Sequence, residues 1–224
     1  MTRRRRRGVG EFKWWKDATS AWSLASKDSS GTTIYDLVGT NNGTSANTPV
    51  FTADQKGRGG QAMSYDGISD WITVADNDDL DFGTGSFTMS AWIKTTHVAF
   101  QTIVGKRTSA NGYVFGVFNN GHLACFLEGD SGDSGFITGR IDISDGEWNH
   151  IVFVVTNSSV TYYINGVFDQ TDSFTAVGSM NNAEDLQIGK SDALGFYEGY
   201  LSDIAIYPEA KSATWVAQQY ARTK

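Results

Sequence analysis

The chain has 224 residues, 40% hydrophobic and 19% charged, with 25 glycines against 2 prolines and a formal net charge of −7. A sandwich of that length buries about 70% of its unfolded surface, so it needs no covalent staple. A single cysteine, Cys125, excludes an intramolecular disulfide, and no apolar run approaches the roughly 18 residues of a membrane-spanning helix.

In chain order, residues 1–17 read as an extended basic arm. Arg3, Arg4, Arg5, Arg6 and Arg7 repel one another and cannot contribute to a core. Trp14 and Trp15, between Lys13 and Lys16, offer the arm a way to dock on a partner surface. Residues 1–16 carry +6, so against a total of −7 the rest carries −13. A basic arm on an acidic body points to an anionic partner. No apolar segment follows the arginines, so the start does not read as a secretory signal. The expectation is a protein made in a cytoplasm and used without export machinery.

Residues 18–224 read as one sandwich domain. AWSLAS supplies a first strand, and the Asn- and Gly-rich loop after Asp36 supplies positive-φ positions. Ala62 to Asp66 alternate, and Trp71 to Val74 form another strand. In SFTMSAWIK, Phe87, Met89, Ala91 and Ile93 share one face, and Thr88, Ser90, Trp92 and Lys94 the other. Two hairpins are predicted, around Asn119-Asn120-Gly121 and around Asn165-Gly166, the second being the stronger turn signal. EGDSGD, residues 128–133, reads as an exposed loop. A last strand ends before Pro208, and Ser212 caps a short C-terminal helix that packs through Trp215, Val216 and Tyr220. The total is about a dozen strands in an all-β, antiparallel β-sandwich.

The ordered set SFTMSAWIKT, GEWNHIVFVV, VTYYINGVF, LQIG and YEGYLSDIAIYPEAKS resembles the laminin-G-like, concanavalin-A-like jelly roll. The resemblance covers nearly all of residues 18–224 and is stronger in the second half. It implies a jelly-roll fold, and relatives with that fold include lectins, glycosidases and structural modules. It also implies a bound Ca²⁺, for which Asp36, Asp66 and Asp203 match acidic positions of the family.

Catalysis finds little support. Retaining glycosidases need two carboxylates about 5–5.5 Å apart, and Glu128, Asp130 and Asp133 are interleaved with Gly and Ser rather than with the apolar residues that would hold an active strand in a sheet. The three histidines, His97, His122 and His150, are scattered, and Cys125 has no neighbouring base. The expectation is a non-catalytic module. A sugar site needs aromatic faces beside polar groups; Trp71, Phe100, Tyr113, Phe136 and Tyr197 lie in or near predicted loops and are the candidates.

The favoured reading is a virion accessory or capsid decoration protein. Its basic arm would grip an acidic protein surface such as a capsid shell, and its lectin-like sandwich would face outward, as a monomer or a homo-oligomer. The alternative is a calcium-assisted carbohydrate-binding module of a surface or extracellular protein. No recognition helix accompanies the arginines, so sequence-specific nucleic-acid binding is not expected.

Overall fold

The structure, a computed structural model, describes residues 13–192 and 195–224. Arg3 to Arg7 of the predicted arm lie outside the described residues. Seventeen strands follow in order. The first seven are short: β1 (Ser20–Trp22), β2 (Ser29–Ser30), β3 (Thr33–Ile34), β4 (Gly43–Ser45), β5 (Val50–Thr52), β6 (Ala62–Asp66) and β7 (Ile72–Val74). The middle of the chain holds the longer ones: β8 (Phe87–Lys94), β9 (Gln101–Arg107), β10 (Gly112–Val117), β11 (His122–Gly129) and β12 (Gly132–Asp142). The remainder are β13 (Asn149–Val155), β14 (Ser159–Ile164), β15 (Val167–Ser173), β16 (Leu186–Ile188) and β17 (Glu198–Tyr207), before a helix, α1 (Ala213–Thr223).

These strands form two antiparallel sheets. One has the order β15-β14-β13-β8-β17-β6-β5, with β1 also paired to β17; the other is β12-β11-β10-β9-β16-β7-β4-β3-β2. The period of two in β8 explains the stacking. Phe87, Met89, Ala91 and Ile93 all enter the core between the sheets. There Phe87 stacks on Phe82 at 4.3 Å and tilts against Tyr113 and Phe115. Each such ring removed from water contributes about 1.5–3 kcal/mol.

The other face of β8 is not exposed. Thr88, Ser90 and Trp92 are buried as well, because both ends of the chain fold over this sheet. Trp92 meets Tyr220 of α1 at 5.8 Å. Trp14, Trp15 and Trp215 pack against Ala18, Ala21, Ala205 and Tyr207. The Trp14 carbonyl accepts from the Tyr207 hydroxyl at 2.7 Å and from Gln219 Nε2 at 2.6 Å. The predicted arm is therefore corrected at its inner end. Residues 13–17 belong to the packed domain, and the surface on which Trp14 and Trp15 dock is the chain's own sheet.

Both predicted hairpins form. Asn165 and Gly166 take φ of 53° and 78° between β14 and β15, the left-handed pair that a two-residue hairpin turn requires. Ser212 caps α1 by accepting the Trp215 amide at 3.2 Å. The EGDSGD segment is corrected from a loop to a hairpin. Glu128 pairs with Asp133 and Gly129 with Gly132, leaving only Asp130 and Ser131 as the turn.

One buried charge ties the loops to the open sheet. Lys106 on β9 is fully buried. Its Nζ donates to Asp81 Oδ1 at 2.8 Å and to the Asn182 carbonyl at 2.6 Å, and lies 2.8 Å from Asp76 Oδ1. Removing one partner of a buried ion pair leaves the others uncompensated. Lys106→Ala is expected to lower unfolding stability by about 3 kcal/mol or more, measured by urea denaturation; a change within experimental error would show that the pair carries no net stability.

Candidate functional site

The chain ends cover part of the eight-stranded sheet, beside which clefts of about 300 and 380 Å³ remain; the outer face of the nine-stranded sheet carries one of about 470 Å³. Its strands are registered so that outward positions line up across it. Phe136 on β12 pairs with Phe126 on β11, Phe126 with Val114 on β10, and Val114 with Gly105 on β9. Gly105 pairs in turn with Gln187 on β16, and Gln187 with Thr73 on β7. At about 4.8 Å per strand step the row spans roughly 24 Å. It passes from aromatic at β12 to polar at β7. The inward neighbours Leu127, Phe115, Val104, Ile188 and Val74 lie in the core, which fixes the row's outward direction.

The row dips at Gly105, against which the side chain of Ser191 packs. A cleft of about 470 Å³ lies there, lined by Gly105, Arg107, Gln187, Lys190, Glu184 and Asp192 among others. Lys190 is held on aromatic faces, its Nζ 4.5 Å above Trp71 and 5.5 Å above Phe196, a placement that favours a cation over a ring quadrupole. Among the described residues no carboxylate pairs with it. On the other side Arg107 lies over Phe126 at 4.8 Å and pairs with Glu128 through Nη2 at 2.5 Å. The Arg107 Nε–H is buried without an acceptor. The cleft thus presents donors from Arg107, Lys190 and Gln187, and acceptors from Gln187, Glu184 and Asp192.

The five aromatic candidates separate. Trp71 flanks the cleft through Lys190. Phe100 and Phe136 are 40% and 43% exposed, and meet around Phe118. Tyr113 and Tyr197 are corrected: both are core residues, with hydroxyls spent on the carbonyls of Leu80 and Lys94. Tyr113 lies inside β10 rather than beside a loop. Tyr197 precedes β17 but turns inward to meet Tyr65 edge-on at 6.0 Å. Sequence reasoning did not single out Arg107, Phe118, Phe126, Gln187 or Lys190. Counting outward from the Asn119-Asn120-Gly121 turn would have placed Phe126 on the outer face of its hairpin, but the pairing of β9 with β16 has no local signal.

The aspartates proposed for Ca²⁺ do not fit one ion. Asp36 accepts the amides of Ala21, Val38 and Asn41. Asp66 accepts from Ile68, Ser69 and Asp70; desolvation is the largest single influence on its carboxyl and raises it, but these bonds together outweigh it and hold the carboxyl at about 2. Asp203 sits in a bulge of β17 at φ 50°, its amide donating to Ser23. The three are not gathered, and no group of three or more His, Cys, Asp or Glu able to hold a metal occurs among the described residues.

In the acidic turn each carboxylate has a local partner. Glu128 is engaged by Arg107, Asp130 accepts the Ser179 amide at 3.1 Å, and Asp133 accepts the Gly135 amide at 2.8 Å. His97 pairs with Glu198 at 3.0 Å and His122 with the Gly139 carbonyl at 3.0 Å. His150 is buried between Trp92 and Tyr220, and burial pushes its ring down to about 3.

The profile described as concanavalin A-like lectin/glucanases superfamily matches residues 66–217. The chain belongs to that superfamily. Among solved structures it is similar to the binding domain of Paraclostridial Mosquitocidal Protein 1, with a TM-score of 0.75 and 16% identity over 93% of this chain and 52% of that one. It is also similar to the binding domain of botulinum neurotoxin DC in complex with SialylT (TM-score 0.72, 13% identity, 95% of this chain and 53% of that one). The chain therefore spans about half the length of these toxin binding domains. A third likeness, to domain 4 of an extracellular arabinanase from Geobacillus stearothermophilus in complex with arabinotriose, covers 91% of this chain and 98% of that one (TM-score 0.68, 21% identity). No curated protein sequence matches the chain. The superfamily profile begins at Asp66, so the strands before it are assigned by the fold alone.

Asp203 gives this domain a pH signature. Burial pushes its carboxyl up to about 7, against the pull of Arg58, Gln55 and Lys56. The folded state then holds a proton that the unfolded state has released. The contribution is present below the unfolded value near 3.9 and is lost as pH rises to about 7. Asp203→Asn is expected to gain on the wild type as pH rises from 4 to 7, at up to about 1.4 kcal/mol per pH unit. Urea melts across that range check it; a difference independent of pH would place the carboxyl in water.

Proposed function

We propose that this protein is a non-catalytic glycan-binding module that takes its ligand in the cleft over Gly105. The observation that carries this reading is the register row, which places a side-chain-free position between Arg107, Gln187 and Lys190, with aromatic rings behind both cations. Sugars present hydroxyls in a ring and apolar C–H faces, and a concave site with a few convergent polar groups beside aromatic faces suits both. The arabinotriose bound to the similar arabinanase domain, and the SialylT bound to the similar toxin domain, support the ligand class. The absence of catalysis in this reading rests on Glu128, Asp130 and Asp133 each being engaged by its own local donor.

The test is calorimetric titration with arabino-oligosaccharides, sialylated oligosaccharides and β-glucans. Gln187→Ala and Lys190→Ala each remove one outward group and are expected to weaken binding of the active sugar roughly three- to tenfold, with the fold intact by circular dichroism. Silence across the whole panel, or wild-type affinity in both variants, would remove the cleft as the site.

A second reading concerns attachment. The clasp of Trp14 and Trp15 onto Tyr207 and α1 anchors the base of the arginine segment to a rigid sheet. Arg3 to Arg7 would then hold an acidic surface, as on a virus particle, leaving the cleft outward. A chain lacking residues 1–12 is expected to leave an anionic support or an assembled particle at markedly lower salt than the full chain. Identical elution would sink the attachment role and leave the glycan reading untouched.

A further inference from the structure

The apolar end of the row is unlike a sugar platform. Phe100, Phe118, Phe126 and Phe136 form one contiguous cluster, with centroids 4.5 Å (Phe100–Phe118), 5.6 Å (Phe118–Phe136) and 5.0 Å (Phe126–Phe136) apart. The planes of these neighbouring rings meet at 81°, 49° and 43°, so no neighbouring pair forms a flat platform for a pyranose face. Val98, 54% exposed, is two residues from Phe100 in the same loop. Monomeric proteins rarely leave contiguous apolar surface open without a use. A rough patch of angled rings suits a flexible apolar chain, which fills gaps between rings, better than it suits a rigid sugar. The cluster adjoins the cleft: Phe126 and Phe136 follow Gly105 and the buried Val114 along the row, and Arg107, which lines the cleft, lies over Phe126. The Arg107 guanidinium over Phe126 marks the border between the polar and apolar halves.

From this juxtaposition we infer that the ligand is amphiphilic: a sugar joined to an acyl or alkyl chain, with the sugar in the cleft and the chain across Phe126, Phe136, Phe118 and Phe100. The inference rests on the glycan reading of the cleft and adds the chemical class of what the sugar is attached to. Binding is driven at one end by hydrogen bonds and at the other by removal of apolar surface from water. The chain half contributes in proportion to its buried methylenes.

The experiment uses matched probes on the full chain. Each sugar of the panel is offered as its methyl glycoside and as its n-octyl glycoside below the micelle concentration, beside octyl phosphocholine as a chain without sugar. The octyl glycoside is expected to bind at least about tenfold tighter than the methyl glycoside. Phe100→Ser with Phe136→Ser should abolish that gain and leave the methyl glycoside unchanged, while Phe136→Leu should retain it. Both rings are substantially exposed, so the serine variants should melt like the wild type. Equal affinity for octyl and methyl glycosides overturns the inference while the glycan reading stands. Octyl phosphocholine binding as tightly as the octyl glycoside also overturns it, since the patch would then act without the cleft. No binding by any glycoside removes the glycan reading, and this inference with it.

Discussion

The Trp14 carbonyl is held by two donors from the far end of the chain, Tyr207 Oη and Gln219 Nε2. These bonds, with the indoles of Trp14, Trp15 and Trp215, cover the part of the eight-stranded sheet around Ala21, Ala205 and Tyr207. A sandwich has two outer faces, and hydrophobic burial behind both sheets would leave none for a ligand. Here the chain ends cover one of them in part, and clefts of about 300 and 380 Å³ remain beside them. Trp92 and His150 are covered by Tyr220 of α1, whereas Gln187 lines an open cleft and Phe136 is exposed.

The open face is graded rather than uniform. Its polar part lies where β9 meets β16 and loops supply Lys190, Glu184 and Asp192; its aromatic part lies on β11, β12 and the loop before β9. The buried Lys106 stands behind this surface. Its pairs with Asp81 and Asp76 and its bond to the Asn182 carbonyl hold the segments that lead into β8 and β16. A cation so placed costs desolvation, and what it provides is a fixed position for the loops at the rim.

Function divides along the same line. The superfamily assignment settles the scaffold and leaves the chemistry open, because the scaffold serves binding and hydrolysis alike. On this chain the acidic turn is spent on internal hydrogen bonds and an ion pair. The cleft itself is lined by the Lys190 ammonium and the Gln187 amide, with the Arg107 Nε–H buried and without an acceptor beside them.

Local patterns were legible in the chain. Phe87, Met89, Ala91 and Ile93 announced an inward face, Asn165-Gly166 a hairpin, and Ser212 a helix cap, because alternation, positive φ and capping depend on a few consecutive residues. Phe100 and Phe136 were also recognisable as exposed aromatics. Tyr113 and Tyr197 were misjudged as rim residues, since nothing nearby in sequence shows that Leu80 and Lys94 offer carbonyls to their hydroxyls. Residues 13–17 were assigned to the arm because the Tyr207 partner lies 193 positions away. Composition and alternation thus decided that two antiparallel layers would form. The face left open, the gathering of Arg107, Gln187 and Lys190 around Gly105, and the dispersal of Asp36, Asp66 and Asp203 were decided only by strand order and by packing of the chain ends, which join residues that share no local pattern.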